Sequence, residues 1–98
     1  MYRGTTPTHT FNVNTDLRTA SAIYITYEQN EKPVVEKTGT AITVNQTTLV
    51  TTLTQEETLK FRDERVYIQI RARFPDGSAI ASNIITASVD KILKEGEI

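Results

Sequence analysis

Apolar and polar side chains alternate without a break over residues 66–74: Val66, Ile68, Ile70, Ala72 and Phe74 are separated by Tyr67, Gln69, Arg71 and Arg73. A period of two sends successive side chains to opposite sides of an extended backbone, so this stretch predicts a strand with one buried and one wet face. Pro75-Asp76-Gly77-Ser78 follows, with Pro setting φ for the second turn position and Gly free to take positive φ. The pair predicts a hairpin into residues 79–89. Upstream, residues 20–29 put Ile23, Ile25 and Tyr27 on one face against Tyr24, Thr26 and Glu28 on the other. The polar turn Asn30-Glu31-Lys32-Pro33 then leads into residues 34–37 as a second hairpin. Residues 10–14, 41–44 and 47–53 supply further short extended segments, the last two separated by Asn45-Gln46. About seven strands result.

One segment breaks the alternation. Thr54-Gln55-Glu56-Glu57 has the spacing of a capping box, in which the Thr hydroxyl and the Glu carboxylate satisfy each other's orphan backbone donors. A helix of one or two turns is expected at residues 55–61, with Leu59 and Phe61 closing one end of the core. Ile92 and Leu93 suit either a strand continuation or a short amphipathic turn; a strand to about residue 93 is expected, with fraying after Gly96. Many short strands with a turn signal every eight to twelve residues make the expected fold all-β. It is a single domain over residues 1–98, an antiparallel β-sandwich of immunoglobulin-like type without the Cys-Trp-Cys signature of antibody domains. A small barrel is the architectural alternative.

Composition sharpens this reading. About one residue in six of the 98 is threonine, and the chain has no Cys and no Trp. β-Branched side chains lose rotamer freedom in helices and pack well on a pleated sheet, which favours strands. Without Cys there are no disulfides, zinc-thiolate sites or thiol nucleophiles. A net charge of −1 argues against a dedicated binder of nucleic acid or anionic membrane. No apolar run approaches the ~20 residues of a membrane helix, and the opening residues have no hydrophobic stretch of the signal-peptide kind. The expectation is a protein that neither spans a membrane nor leaves by that route.

The search for reactive groups returns little. His9, the sole histidine, has no Cys or second His as partner and reads as a solvated residue at a strand start. Among the carboxylates, Glu57 has its capping role, and Asp63-Glu64 sit beside Arg62 and Arg65 in a polar loop. A catalytic pair needs two carboxylates converging across a cleft, which adjacency in sequence does not create. Gly4, Gly39, Gly77 and Gly96 match no phosphate-cradling spacing, and Asn45-Gln46-Thr47 reads as a turn more than as a glycosylation acceptor. No catalytic residue, metal ligand or cofactor site is expected.

Two surfaces are candidates for contact. The wet side of the central strand, Tyr67, Gln69, Arg71 and Arg73, combines an aromatic with two guanidinium groups, a composition enriched at interaction hot spots. The same composition suits a solvated sheet face or, less well at this net charge, a single-stranded nucleic-acid platform. Residues 1–9 carry Pro7 and several hydroxyl side chains with little to bury. Such an arm either stays mobile or docks on a neighbour's sheet edge, and Tyr2, Arg3, Thr5 and Thr6 would make its contacts.

Three stretches together carry a resemblance: Tyr2-Arg3-Gly4-Thr5-Thr6-Pro7-Thr8, Leu53-Thr54-Gln55-Glu56-Glu57-Thr58, and residues 76–85 with Val89-Asp90-Lys91-Ile92-Leu93. Over nearly its whole length the chain resembles a family of small proteins encoded in the tail-structure regions of phages and prophages of Gram-positive gut bacteria. The resemblance implies a tail or baseplate-associated structural component, with no catalytic residues to carry over. Its partners would be other phage tail proteins or further copies of itself, with neither nucleic acid nor membrane among them. Its location would be the bacterial cytoplasm during assembly and then the virion. The reading from a different class is a glycan- or cell-surface-binding immunoglobulin-like module, with exposed Tyr24 or Tyr67 stacking on sugar rings.

Overall fold

A computed structural model describes residues 1–98. The chain runs β1 (Thr8–Asn12), β2 (Ala22–Gln29), β3 (Lys32–Thr38), a 3-10 turn (Gly39–Ala41), β4 (Thr43–Asn45), β5 (Thr48–Thr52), α1 (Gln55–Leu59), β6 (Arg65–Arg73), β7 (Ala79–Ala81) and β8 (Ile85–Ser88). The strands form two antiparallel sheets, β1-β5-β4 and β3-β2-β6 with β7 and β8 both on the far side of β6. The architecture is the expected all-β sandwich of antiparallel sheets with one short helix. Its body measures 47 × 25 × 17 Å, so each sheet presents a long outer face. No helix is long and apolar enough to cross a membrane.

The period-two pattern does what it predicts. Val66, Ile68, Ile70 and Ala72 of β6 are buried, as are Ile25 and Tyr27 of β2, and they meet Phe11, Leu49 and Leu53 from the small-sheet side. The buried threonines explain part of the composition: Thr51 Oγ1 donates to the Ala41 carbonyl at 2.8 Å and Thr58 Oγ1 to the Thr5 carbonyl at 2.8 Å. A threonine can therefore fill core volume while its hydroxyl is satisfied. Buried Gln29 does similar work, accepting from Arg62 N and donating to the carbonyls of Arg62 and Glu64, which pins the loop entering β6.

The β2–β3 connection is tighter than the sequence suggested. Gln29 pairs directly with Lys32, leaving a two-residue loop in which Asn30 and Glu31 both take positive φ, 54° and 62°. Two consecutive left-handed residues match the right-handed strand twist of a primed hairpin turn, so β3 begins at Lys32 instead of Val34. The expected strand at residues 79–89 is two strands. Gln69 and Ile70 of β6 face three residues, Ser82–Ile84, so the edge carries an extra residue between β7 and β8. Ser82 bridges the gap by donating its N–H to the Ile70 carbonyl and accepting the Ile70 N–H on Oγ. A bulge of this kind twists an edge away from further pairing.

The expected helix at residues 55–61 is shorter, Gln55–Leu59, and its capping box is present with both reciprocal bonds. The tail departs from expectation. Past Ser88 there is no more β6 to pair with, because β6 begins at Arg65 opposite Ser88. Pairing passes instead to the N-terminal residues: Asp90 N donates to the Met1 carbonyl and Arg3 N to the Asp90 carbonyl, in a parallel bridge between Tyr2 and Asp90. Residues 91–98 form no strand, and the side chain of Gln55 holds Ile98 through its N–H and carbonyl.

Residues 1–9, where a mobile or neighbour-docking arm was expected, lie along their own domain, with Thr8 and His9 already in β1. Arg3 is the reason: its guanidinium donates to the Phe61 carbonyl at 2.6 Å, to the Leu59 carbonyl at 3.0 Å and to both carboxylate oxygens of Glu95. Gly4 lets the chain pass closely. At its φ of +70°, an added Cβ would stand 2.9 Å from Ile92 Cδ1 and 3.3 Å from Leu59 Cδ2.

Candidate functional site

The outer face of the large sheet gathers the residues that the alternation of β6 points away from the core. Across the β2–β6 ladder, Ala22 stands beside Arg73, Tyr24 beside Arg71, Thr26 beside Gln69 and Glu28 beside Tyr67. β3 adds Glu36, whose carboxylate accepts from Thr26 Oγ1 at 3.2 Å. Gln69 is fixed by donating to the Ser82 carbonyl at 3.0 Å. Tyr24 and Tyr67 are each 42% exposed, a large apolar surface for side chains standing on an open sheet.

Two shallow concavities occupy this face. One, of about 430 Å³, is lined by Ala22, Tyr24, Thr26, Glu36, Arg71 and Arg73 among others. The other, of about 560 Å³, lies at the opposite end of the strands and is lined by Glu28, Asn30, Glu31, Glu64, Arg65, Tyr67 and Ile84. The edge bulge brings Ile84 there, 61% exposed beside Tyr67. The first concavity is net cationic and the second net acidic. Neither Arg71 nor Arg73, and none of Glu28, Glu31, Glu36 and Glu64, belongs to an ion pair within the chain. The face thus offers charge of both signs with two half-exposed aromatic side chains.

Of the residues expected to make contacts, the structure brings Tyr67, Gln69, Arg71 and Arg73 together and sets them beside Tyr24. Tyr2, Arg3, Thr5 and Thr6 belong to a different region. Tyr2, Thr5 and Thr6 are exposed, whereas Arg3 is largely spent on the bonds that hold its own segment. Glu28, Glu36 and Ile84 were not anticipated. The register that sets Glu28 beside Tyr67 is a long-range pairing with no local signal, and Ile84 reaches the surface only through the bulge.

A second polar cluster lies between the sheets. His9 of β1 is half-buried, and its Nδ1 lies 2.7 Å from the Tyr27 hydroxyl of β2. Burial, and then the charge of Glu57, push the Tyr27 phenol well above its ordinary value, so the hydroxyl keeps its proton and donates it to Nδ1. Burial, and then the Met1 ammonium, lower the pKa of His9, which favours the neutral ring that accepts this bond. His9, expected as a solvated residue, is a tie between the two sheets. Nearby, Lys37 points inward from β3 and its Nζ meets Glu57 Oε1 at 2.6 Å, with side chains only 10% and 22% exposed. Burial raises the Glu57 carboxyl, but the bonds from Lys37 and Thr54 outweigh it and hold the group below its ordinary value. Each member is satisfied by another or by backbone, which describes a structural network. No three His, Asp or Glu side chains come together as a metal-binding group. No protein-family model, curated protein or solved structure matches the chain.

Proposed function

We propose that the chain is a non-enzymatic structural protein of a phage or prophage tail, a baseplate-associated module that acts through protein–protein contact. The observation that supports this best is the outer face of the large sheet. Exposed Tyr24 and Tyr67, Arg71 and Arg73, and Glu28 stand together on the β2–β6 ladder, with none of the three charged groups in an ion pair, and Glu31 lies in the loop at its end. The resemblance of the opening, central and closing stretches to tail-region proteins supplies the setting. Small β domains in such assemblies work through repeated interfaces.

The test is retention of tail proteins encoded beside the chain's own gene on the immobilised full chain. The reading expects at least one to be retained, and retained poorly by the Arg71→Glu/Arg73→Glu variant. Retention of none would remove it.

The two half-exposed tyrosines also support a second reading, a glycan- or cell-surface-binding module. Each lines a concavity, and a phenol ring can stack on a sugar face. A glycan array probed with the full chain decides: binding lost in Tyr24→Ala or Tyr67→Ala favours it, and a blank array disposes of it.

A further inference from the structure

The two concavities on the outer face differ in what stands around their tyrosine. Arg71 lies between Tyr24 of β2 and Ala81 of β7, and Arg73 between Ala22 and Ala79 on the same two strands. Three of those four neighbours are methyl-sized, so the two arginine stems rise from a low floor, and the space above Ala22 and Ala79 belongs to the cationic concavity. The Cα atoms of the two arginines are about 7 Å apart, two residues along one strand. Neither is in an ion pair, and their only side-chain hydrogen bond, from Arg73 Nε to Ser21 Oγ at 3.4 Å, leaves the terminal nitrogens of both free. Tyr24 is 42% exposed beside them, and Thr26 Oγ1 and the Glu36 carboxylate meet at 3.2 Å on the far side of the hollow. One carboxylate therefore stands against two guanidinium groups here, whereas three carboxylates stand against Arg65 around Tyr67.

We propose that the Tyr24 concavity is a saccharide site selective for sugars with an anionic substituent, a carboxylate or a phosphate. The inference rests on the second reading above, the glycan-binding module, and names the ligand class and the tyrosine that receives it. Tyr24 supplies a ring face for the C–H side of a pyranose. Arg71 and Arg73 supply planar forks, each able to bond two oxygens of a carboxylate or phosphate at once. The Glu36 carboxylate and the free lone pairs of Thr26 Oγ1 are acceptors for sugar hydroxyls, which gives the one acidic group of the hollow a place in the recognition. A neutral sugar gains the ring and hydroxyl contacts and leaves both guanidinium groups to water. At Tyr67 an anionic sugar meets Glu28, Glu31 and Glu64 and is repelled.

At about 430 Å³ the hollow lies within the size range of small-ligand sites. It is shallow and open, so affinity is modest. At the binding per atom of ordinary ligands, one sugar ring with its substituent binds with a Kd on the order of 1 mM. Exposed guanidinium groups make that binding weaken as salt is added.

The experiment is an amide chemical-shift titration of the labelled full chain at neutral pH and fixed ionic strength. The probes are the methyl glycosides of glucuronate and galacturonate, the phosphate esters of glucose and galactose, the methyl glycosides of neutral glucose and galactose, and acetate and inorganic phosphate as bare anions. The expected result is that at least one acidic sugar shifts the amides of Tyr24, Arg71 and Arg73, about tenfold or more tighter than its neutral counterpart and than the bare anion. Whether the uronates or the phosphate esters do so tells which anion the hollow takes. Arg71→Gln/Arg73→Gln, first shown by circular dichroism to melt like the wild type, should bring the acidic sugar down to the neutral one. Tyr24→Ala should bring it down to the bare anion, and Tyr67→Ala should change neither. Neutral sugars or bare anions that bind as tightly, shifts centred on Tyr67, or no binding by any acidic sugar would each overturn the site. The glycan-module reading fails separately: neutral sugars bound as tightly at either tyrosine overturn the anionic selectivity and leave the module standing, whereas a chain that binds no sugar overturns both.

Discussion

Glu57 serves an ion pair and a helix cap at once. Its Oε1 accepts from Lys37 Nζ at 2.6 Å and from Thr54 N at 2.9 Å, while its own N–H bonds Thr54 Oγ1 at 3.1 Å. Glu57→Gln keeps an acceptor for Thr54, and glutamine is as good at this position of a capping box. What it removes is the charge opposite Lys37, whose side chain is only 10% exposed. Removing one partner of a fully buried pair costs about 3–5 kcal/mol. Residual exposure and the remaining amide carbonyl reduce this to about 2 kcal/mol. Glu57→Ala also deletes the cap bond, worth about 1 kcal/mol, for a total of about 3 kcal/mol. Lys37→Met keeps the aliphatic volume and leaves Glu57 bonded to Thr54, so it should cost less than about 1 kcal/mol. The double variant Lys37→Met/Glu57→Gln should then be more stable than Glu57→Gln alone. Urea denaturation measures all four, and a loss of 2 kcal/mol lowers the melting temperature of a domain this size by about 8–16 °C. Because the folded carboxyl titrates below its ordinary value, the pair stabilises the fold fully above about pH 4.5, and this is lost as pH falls through the folded value. The gap between wild type and Glu57→Gln should close in acid. A Glu57→Gln variant within 0.5 kcal/mol of wild type at pH 7, or a double variant showing simple additivity, would refute the reasoning (threshold of order the ~0.5 kcal/mol additivity error).

Arg3→Ala should lower stability by about 2 kcal/mol in the same assay, because the carbonyls of Leu59 and Phe61 lose a charged donor; an unchanged midpoint would mean the N-terminal segment contributes nothing to the fold. Glu31→Gly should raise it by about 0.5 kcal/mol, since Glu31 sits at φ 62° in the second loop position of a primed turn, where glycine is unstrained; a lower midpoint would contradict that turn. His9 has a folded pKa below its ordinary value, so the unfolded chain binds its proton first and stability falls as pH drops below about 6.5. The slope in that window should flatten in His9→Gln, and an equal slope in both proteins would show that His9 is not its source.

What was legible in the sequence is what local periodicity controls. The alternation of residues 66–74 gave the core and wet faces of β6 residue by residue, and Thr54 with Glu57 gave the helix start and its cap. Side chains that depend on a distant partner were not legible. Lys37 reads as an ordinary polar strand residue until β3 is laid over α1, where Glu57 draws it inward. His9 finds Tyr27 across the sandwich, eighteen residues away. The N-terminal segment looks apolar-poor and loose because its anchoring comes from Arg3 reaching backbone carbonyls more than fifty residues away, not from buried side chains. Half of the candidate site followed the same division: Tyr67, Gln69, Arg71 and Arg73 come from one strand's period, whereas their neighbours Glu28, Glu36 and Ile84 come from pairing register and a bulge.

The central claim is that the outer face of the β3-β2-β6 sheet is where this protein meets its partners. Amide chemical-shift mapping by NMR addresses it most directly, with the labelled full chain titrated with whichever protein the retention test identifies. The account predicts perturbations confined to the outer-face positions of β2, β6 and the β7–β8 edge, led by Tyr24, Tyr67, Arg71 and Arg73. Perturbations centred on Tyr2–Thr6, or on the β1-β5-β4 sheet, with the outer face silent, would contradict it.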